Sequence, residues 1–325
     1  MQAIIVAVCS FVLAVVFGKL LIPVLRALKA GQSIREIGPS WHNTKAGTPT
    51  MGGIIFIAAA SLCTIAGGWR SMLAGNFTHL YVLAFALIFG VIGFLDDFMK
   101  VKFKRNLGLT ALQKLALQLA AAGAYLALLR WNGDLTCDLY IPFWNVAFEI
   151  NWIVYLVFAM FVIVGCVNAV NLTDGIDGLA SGVTLPVMVF FAVTAYMWGK
   201  TTLALLPAAM AGGLAGFLVY NFHPAKVFMG DTGSLFLGGM VCGLAFALDM
   251  PLVLILVGII YIMETVSVIM QVTYFKLTHG KRIFRMTPIH HHFEMGGWSE
   301  EKIFAVFVGI TVLMCVLAFI GVRGR

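Results

Sequence analysis

Ten long apolar segments constrain this chain more than any other feature of its sequence. Most of them approach the roughly 20 residues that a helix needs to cross the hydrocarbon core of a bilayer. Only 11% of the 325 residues are charged and 61% are hydrophobic, whereas about 25% of residues are charged in soluble proteins. The sequence excludes a water-soluble fold and predicts an all-α, polytopic integral membrane protein with about ten transmembrane helices. The segments are 3–25, 51–67, 80–95, 112–129, 152–170, 183–198, 203–219, 235–248, 252–270 and 303–322.

The boundary between the eighth and ninth segments rests on a length argument. A single helix over 235–270 would be about 54 Å long at a rise of about 1.5 Å per residue, nearly twice the hydrocarbon thickness. Asp249 and Pro251 lie near its middle, and a proline interrupts a helix interior. We therefore expect a hairpin between two separate spans.

The distribution of Lys and Arg tests the number of spans independently of hydropathy. Loops after odd-numbered segments contain 15 of the 21 basic residues, the opposite loops contain five, and Lys19 lies within the first segment. Because basic loops stay in the cytoplasm, this bias predicts that both termini are outside. The chain 1–325 is then one transmembrane domain with cytoplasmic loops at 26–50, 96–111, 168–182, 220–234 and 271–302.

Composition also excludes two classes of function. The net charge of +7 does not indicate nucleic-acid binding, because the basic residues are not interleaved with aromatics on a polar face. The six cysteines are scattered, form no C-x-x-C pair and lie mostly in apolar segments, so we interpret them as small core residues rather than as disulfides or metal ligands. They are Cys9, Cys63, Cys137, Cys166, Cys242 and Cys315.

Five aspartates fall at the predicted cytoplasmic ends of the spans. Asp96, Asp97, Asp174, Asp177 and Asp231 come from three loops and are flanked by Gly and Asn rather than by basic partners. A solvated helix boundary would explain any one of them. Clustered carboxylates, however, raise one another's pKa values unless a cation neutralises them. Five acids at one depth in the membrane therefore favour a shared site that binds a hard divalent ion, Mg2+ or Mn2+.

The residues around these acids suggest a phosphate ligand. In the stretch 168–179, Asp174 and Asp177 are three residues apart, and glycines permit a ligand to approach the backbone closely. Asp231 lies between two glycines at the start of the eighth span, where backbone N–H groups can receive phosphate oxygens. Lys100 lies one helical turn after Asp96 and Asp97, which gives either a salt bridge or a phosphate contact.

Three consecutive histidines, His290, His291 and His292, precede Phe293 and Glu294 in the last predicted cytoplasmic loop. A zinc site is disfavoured, because neighbouring histidines do not readily bind one ion together and no cysteine lies nearby. Basic residues nearby indicate that imidazoles and cations meet an anionic group such as a phosphate. Carboxylates, a divalent ion and basic groups together are typical of phosphoryl transfer. The basic residues are Lys276, Lys281, Arg282 and Arg285.

Four motifs together resemble those of the polyprenyl-phosphate N-acetylhexosamine-1-phosphate transferases. They are the segments 96–100, 171–178, 230–234 and 288–294, which occur in the expected order. Within that superfamily, the triple His followed by Phe-Glu resembles the bacterial phospho-N-acetylmuramoyl-pentapeptide transferases. The segment 45–53, Lys-Ala-Gly-Thr-Pro-Thr-Met-Gly-Gly, resembles them too. Ile289, where Leu is common, is a conservative departure.

The resemblance implies an activity and a location. It implies Mg2+-dependent transfer of phospho-MurNAc-pentapeptide from UDP-MurNAc-pentapeptide to undecaprenyl phosphate, which gives lipid I and UMP in the first membrane step of peptidoglycan synthesis. It also implies a multi-pass protein of the bacterial plasma membrane, in contact with membrane lipid, with its active site on the cytoplasmic face. The sequence leaves open whether the protein works as a monomer or as a homodimer.

The resemblance further implies roles for individual residues. Asp231 is expected to be the Mg2+ ligand, and Asp96 and Asp97 the acidic pair beside the reacting phosphates. Whether Asp96 acts as base, nucleophile or orienter stays open. His290 and His291 are also expected to be catalytic. The nucleotide-sugar pocket is expected to be lined by Lys45, Thr50, Lys100, Asn171, Asp174, Asp177, Asn221, Phe228, Gln271, His291 and His292.

Two alternatives remain from the sequence. One is a related enzyme that transfers GlcNAc-1-phosphate to a polyprenyl phosphate. The other is an ion-coupled transporter, suggested by Glu264 within the ninth segment, because an acid inside the membrane is a functional candidate. A polar contact inside the helix bundle would also explain Glu264. A transporter predicts carboxylates near mid-membrane on discontinuous helices, whereas these gather at one face.

Overall fold

The computed structural model describes residues 1–28, 47–103 and 108–325. Within this part of the chain the fold is helical, with one small β-hairpin, so the all-α prediction is confirmed. The helices are α1 (Gln2–Ala27), α2 (Gly53–Leu73), α3 (Thr78–Phe103), α4 (Ala111–Trp131), α5 (Trp152–Thr173), α6 (Leu179–Met197), α7 (Thr201–Asn221), α8 (Gly230–Ala247), α9 (Leu254–Val257), α10 (Ile259–Leu277), α11 (Ile289–Glu294) and α12 (Glu300–Val322).

Up to ten of these elements are long and apolar enough to cross a membrane. Nine are single helices, α1 to α8 and α12, among the residues described. The tenth is a bent pair, Pro251–Val257 and α10, whose two parts meet at an angle of 81° and together have the length and apolarity of one span. A turn through Asp249, which has a φ of 54°, separates α8 from this span. The expected number of about ten spans and the expected hairpin are therefore confirmed. The sharp bend within the last part of this region was not predicted.

Helix α8 lies at the centre of the bundle. All of its residues from Thr232 to Ala247 are buried, whereas α1 buries only about one residue per turn along a single stripe. Glycines on α8 allow close approach, because a Cβ on Gly238 would lie 2.6 Å from the Cα of Val167 in α5. Small residues at helix contacts are typical of membrane bundles, where van der Waals packing drives association. The position of α8 therefore fixes the residues at its first turn.

The β-hairpin was not predicted. Strands β1 (Asp138–Ile141) and β2 (Val146–Glu149) pair in antiparallel fashion, with Ile141 opposite Val146. Each strand has only four residues, too few for a clear alternating pattern. The hairpin packs on the end of α12, where the N–H of Phe143 donates to the carbonyl of Gly321 at 2.8 Å.

The cysteines are all free. Cys63, Cys242 and Cys315 are buried, as expected for small core residues, and Cys137 and Cys166 are partly buried. The prediction is wrong for Cys9, which is exposed on α1. Because α1 buries only one stripe, most of its side chains face outward.

The helix ends place the predicted motifs at one end of the bundle. Helix α3 runs on to Phe103, so Asp96 and Asp97 lie in its last turns rather than in a loop. Helix α8 begins at Gly230, which puts Asp231 in its first turn. Helix α4 begins nearby with a capping box formed by Thr110 and Gln113, an arrangement that satisfies free backbone N–H groups. The end of α3, the start of α4, the end of α5 and the start of α8 thus frame one region.

Close packing of α1 against α7 leads to a stability prediction. A Cβ on Gly212 of α7 would overlap the carbonyl oxygen of Ala7 in α1. We expect Gly212→Ala to lower the free energy of unfolding by about 1–3 kcal/mol, as overpacking does elsewhere. The measurement is thermal unfolding in detergent. Gly309→Ala in α12, where a Cβ meets open space, is the control, and equal losses in the two variants would contradict the packing.

Candidate active site

Three aspartates from two helices form the centre of the site. Asp96 and Asp97 of α3 and Asp231 of α8 each offer a carboxylate oxygen, and these oxygens lie within 4.8 Å of one another. The helices meet at Gly93, where a Cβ would overlap the carbonyl of Asp231. The absence of a side chain there lets α3 approach the first turn of α8. We call Asp96, Asp97 and Asp231 the carboxylate triad.

Asp97 caps the N-terminus of α8. Its carboxylate accepts the N–H of Thr232 at 2.9 Å, the hydroxyl of Thr232 at 2.7 Å and the N–H of Asp231 at 3.2 Å. Backbone N–H groups in the first turn of a helix have no partner within the helix, and an anion there is stabilised by the helix dipole. Asp97 thus fixes the position of the first turn of α8, which carries Asp231.

Two lysines neutralise part of this negative charge. Lys100 ion-pairs with Asp96 and reaches Asp231 Oδ2 at 3.0 Å. Lys114 of α4 reaches the same oxygen at 3.1 Å. The salt bridge that the position of Lys100 allowed is confirmed for Asp96, and the expectation that the acids lack basic partners is wrong for Asp96 and Asp231. Lys100 reaches back along its own helix, and Lys114 arrives from another helix.

Lys114 was not selected from the sequence. It lies 117 residues from Asp231, outside the acidic motifs. The available signal was its position at the start of a predicted span, on the side where the aspartates gather.

Asn171 of α5 holds the other oxygen of Asp231. Its side-chain amide donates to Asp231 Oδ1 at 2.8 Å and to the hydroxyl of Ser234 at 2.8 Å. Asp96 in turn accepts the N–H of Leu109 at 2.9 Å. The triad is therefore held by side chains or backbone from four segments of the chain.

Asp174 lies next to the triad, at the end of α5 and outside the span. Burial, together with the nearby charges of Asp231, Asp97 and Asp177, raises the pKa of its carboxyl to about 8. Near neutral pH the protein alone therefore favours the protonated form. A cation close to Asp174 would favour the ionised form.

Asp177 faces a separate cluster. Its Oδ2 lies 2.9 Å from Nδ1 of His223 and accepts the N–H of Ala225 at 2.9 Å. Its own N–H donates to Glu300 Oε2 at 3.0 Å. The expectation that all five aspartates share one ion site is therefore wrong for Asp177, whose carboxylate belongs to a different cluster from the triad. His223 and Glu300 were not among the predicted site residues, because neither lies in the four motifs that resemble the transferases.

The pocket residues expected early in the chain are only partly visible. Lys45 lies outside the described residues. Thr50 is buried, and its hydroxyl lies beside Gly230. The N–H of Phe228 donates to the carbonyl of Pro49 and the carbonyl of Phe228 accepts from Gly52, both at 2.8 Å. These backbone bonds attach the segment 47–52 to the start of α8.

Asn221 and Gln271 hold loops in place. Asn221 accepts from the hydroxyl of Ser181 at 2.9 Å and donates to the carbonyl of Val227 at 3.0 Å. Gln271 accepts from the N–H groups of Ile283 and Phe284, both at 3.0 Å. Each amide therefore organises a loop at this end of the bundle.

The three histidines have different surroundings. His290 is fully buried, and its Nδ1 lies 3.0 Å from Glu264 Oε2. Nδ1 of His291 lies 2.9 Å from Glu294 Oε2, and Nδ1 of His292 accepts the N–H of Arg285 at 3.2 Å. Among the described residues, the groups with metal-like spacing contain none of these histidines.

The position of Glu264 explains its presence inside a span. It is fully buried and faces His290, both through the ring and through the backbone N–H at 3.4 Å. The ring of His290 in turn packs on Gly175, where a Cβ would overlap Nε2. Glu264 is therefore a polar contact inside the bundle that connects α10, α11 and the loop after α5.

Comparison with known proteins gives a consistent match. Residues 79–249 match the model of glycosyl transferase family 4, and residues 45–57 match signature 1 of the phospho-N-acetylmuramoyl-pentapeptide-transferases. A phospho-N-acetylmuramoyl-pentapeptide-transferase of Clostridium beijerinckii is 47% identical over 96% of this chain and 94% of its own. Enzymes of the same name from Clostridium acetobutylicum and Clostridium perfringens are 47% and 48% identical over 96% of both chains.

The chain belongs to the phospho-N-acetylmuramoyl-pentapeptide transferase family. It is a membrane-embedded phosphoglycosyl transferase, and the family name places it in cell-wall synthesis. The resemblance stated from the motifs is confirmed. The transporter interpretation is set aside because the relatives are transferases, and the contact of Glu264 with His290 accounts for the acid inside the span.

The chemistry of the carboxylate triad fits a hard divalent cation. Mg2+ prefers oxygen ligands and usually takes one or two carboxylates from the protein. Asp96, Asp97 and Asp231 each offer one carboxylate oxygen within 4.8 Å of the others. Lys100 and Lys114 both contact Oδ2 of Asp231, so they would compete with a cation for that oxygen.

The contact of Gly175 with His290 predicts a loss of transferase activity. We expect Gly175→Ala to push His290 or the loop carrying Asp174 out of place. A misplacement of about 1 Å can cost about 100-fold in rate. Gly165→Ala in α5, where a Cβ meets open space, is the matched control. Turnover assays on both purified variants provide the measurement, and equal rates would disprove the importance of this contact.

Proposed function

We propose that this transferase moves phospho-MurNAc-pentapeptide from UDP-MurNAc-pentapeptide to undecaprenyl phosphate, with lipid I and UMP as products. The observation that carries the proposal is the carboxylate triad with two lysines at one end of a transmembrane bundle. Relatives named for this transfer at 47–48% identity support the choice of donor. The proposal also includes the bacterial plasma membrane as the location.

The proposed reaction asks for charge neutralisation rather than an energy source. One diphosphate bond breaks and another forms, so reactants and products are close in free energy. Such a phosphoryl transfer depends on positioning and electrostatics. Lys100 and Lys114 bring two positive charges to the triad. They are placed to contact phosphate oxygens of the donor and acceptor.

The location of the triad suits a lipid acceptor. A polyprenyl chain stays in the hydrocarbon region, while its phosphate remains at the interface. The triad lies where α3 ends and α8 begins, at the end of two spans. The excess of basic residues in the odd-numbered loops supports assigning this end to the cytoplasm. We propose that the water-soluble nucleotide donor enters from that side.

We propose Mg2+ as the cofactor, with Asp231 as its main ligand. Such an ion supplies neutralisation of the charge that develops on the transferring phosphoryl group. Asn171 fixes Oδ1 of Asp231, and Asp97 fixes the backbone of Asp231. Both contacts hold the carboxylate in one orientation before any ligand binds.

Asp96 and Asp97 take different roles in this proposal. Asp97 accepts three hydrogen bonds from the first turn of α8, so it positions Asp231. Asp96 accepts one backbone N–H and pairs with Lys100, and we propose that it lies beside the reacting phosphates. An acceptor phosphate that is already ionised near neutral pH needs little help from a base.

The three histidines also take different roles in this proposal. His290 is fully buried against Glu264 and Gly175, so it supports the loop that carries Asp174. His291 and His292 are partly exposed, and we propose that these two contact the donor. The backbone N–H of Arg285 donates to His292, and its guanidinium donates to the carbonyl of Met295 at 2.7 Å.

A direct assay tests the donor. Purified protein is incubated with undecaprenyl phosphate and either radiolabelled UDP-MurNAc-pentapeptide or radiolabelled UDP-GlcNAc, with and without Mg2+. We expect a labelled lipid product only from UDP-MurNAc-pentapeptide and only with Mg2+. A product from UDP-GlcNAc alone would favour the GlcNAc-1-phosphate transferase alternative.

A single substitution tests the metal role. Asp231→Asn keeps the shape of the side chain but removes its charge, so we expect loss of Mg2+-dependent UMP release. Asp138→Asn, in the β-hairpin, is the control and should leave release unchanged. UMP release is followed over a Mg2+ titration. Near-normal turnover with an unchanged Mg2+ requirement would remove Asp231 from the metal site.

A further inference from the structure

Gln118 of α4 and Asn168 of α5 form a reciprocal amide pair between two spans. The side-chain amide of Asn168 donates to Gln118 Oε1 at 2.9 Å, and that of Gln118 donates to Asn168 Oδ1 at 3.5 Å. Asn168 also donates to the carbonyl of Val164 at 2.8 Å. Gln118 is only 1% exposed. The proposed reaction uses neither side chain.

Helical periodicity connects this pair to the carboxylate triad. Lys114 lies four residues before Gln118, and Asn171 lies three residues after Asn168, so each shares a helix face with its member of the pair. The lysine holds Oδ2 of Asp231 at 3.1 Å and the asparagine holds Oδ1 at 2.8 Å. The amide pair is therefore about one helical turn, or about 5 Å, from the two residues that grip Asp231.

An amide pair restricts geometry more than an apolar contact does. Apolar side chains can slide and repack against one another with little change in their contact area. A buried amide that loses its partner leaves polar groups unsatisfied in a medium without water. The pair thus favours one axial position and one rotation of α4 relative to α5. Those two quantities decide whether Lys114 and Asn171 both reach Asp231.

We infer that Gln118 and Asn168 are positioning residues that set the register of α4 against α5 and so orient Asp231 for the divalent cation. The inference rests on the proposed function, which gives Asp231 that ligand. Residues that orient metal ligands typically affect metal affinity by about 10- to 100-fold when they are changed.

The experiment measures ion binding as well as turnover. Mn2+ binding to the full-length protein in detergent is titrated by electron paramagnetic resonance, and Mg2+-dependent UMP release is measured in parallel. Gln118→Met removes both hydrogen bonds of the pair while keeping an unbranched side chain. We expect it to weaken Mn2+ binding by about tenfold.

An exchange of the two amides tests the pairing itself. Gln118→Asn alone shortens one arm of the pair and should weaken Mn2+ binding as Gln118→Met does. The double variant Gln118→Asn, Asn168→Gln restores the combined length of the two side chains. We expect its Mn2+ affinity to return to within about threefold of the original protein. A double variant as weak as the single one would disprove the pairing role.

Tyr261→Phe separates positioning from general stability. The Tyr261 hydroxyl makes a buried bond of 2.8 Å to Thr184, which joins α10 to α6 without touching the triad. We expect this variant to lower the thermal midpoint as Gln118→Met does, but to bind Mn2+ normally. If Gln118→Met also binds Mn2+ normally, the amide pair is only structural and the inference is wrong.

The original protein and Asp231→Asn test the metal site separately. Absence of Mn2+ binding that depends on Asp231 would overturn the metal proposal and the inference together. Binding that depends on Asp231 but is insensitive to every change at Gln118 and Asn168 would overturn only the positioning role.

Discussion

The capping of α8 by Asp97 is the interaction on which the rest of the site depends. A carboxylate buried in a membrane bundle is costly unless partners neutralise it. Asp97 meets this requirement with the free N–H groups and the hydroxyl at the start of α8. The same bonds fix the first turn of the most buried helix. The backbone N–H of Asp231 is one of these donors, so the orientation of Asp231 depends on the neighbouring acid Asp97.

The positive charges around this anchor neutralise most, but not all, of the negative charge. Three carboxylates of the triad face the two ammonium groups of Lys100 and Lys114, and Asp174 beside them has a raised pKa. An imbalance of this kind leaves the region receptive to a cation. It also keeps positive charge available for phosphates, so one cluster can serve ligands of both signs.

The sequence predicts the spans well because hydropathy depends only on local composition. The turn at Asp249 and Pro251 follows from length and from proline chemistry. Motif spacing also selected Asp96, Asp97 and Asp231, which the fold brings together. It did not reveal Lys114, the orientation of Asp177 toward His223, or the contact of Glu264 with His290. These depend on how each helix is rotated and where it crosses its neighbours, which no local pattern encodes.

Gly93 sets the size of the site although it has no side chain. Because a Cβ there would overlap the backbone of Asp231, α3 and α8 approach more closely at this point than any residue other than glycine would allow. The spacing of the triad oxygens depends on how closely these two helices approach. Discrimination between small and large divalent ions depends on cavity size and ligand flexibility. The ionic radius that the triad accepts is thus a property of helix packing, and a larger residue at Gly93 would change it.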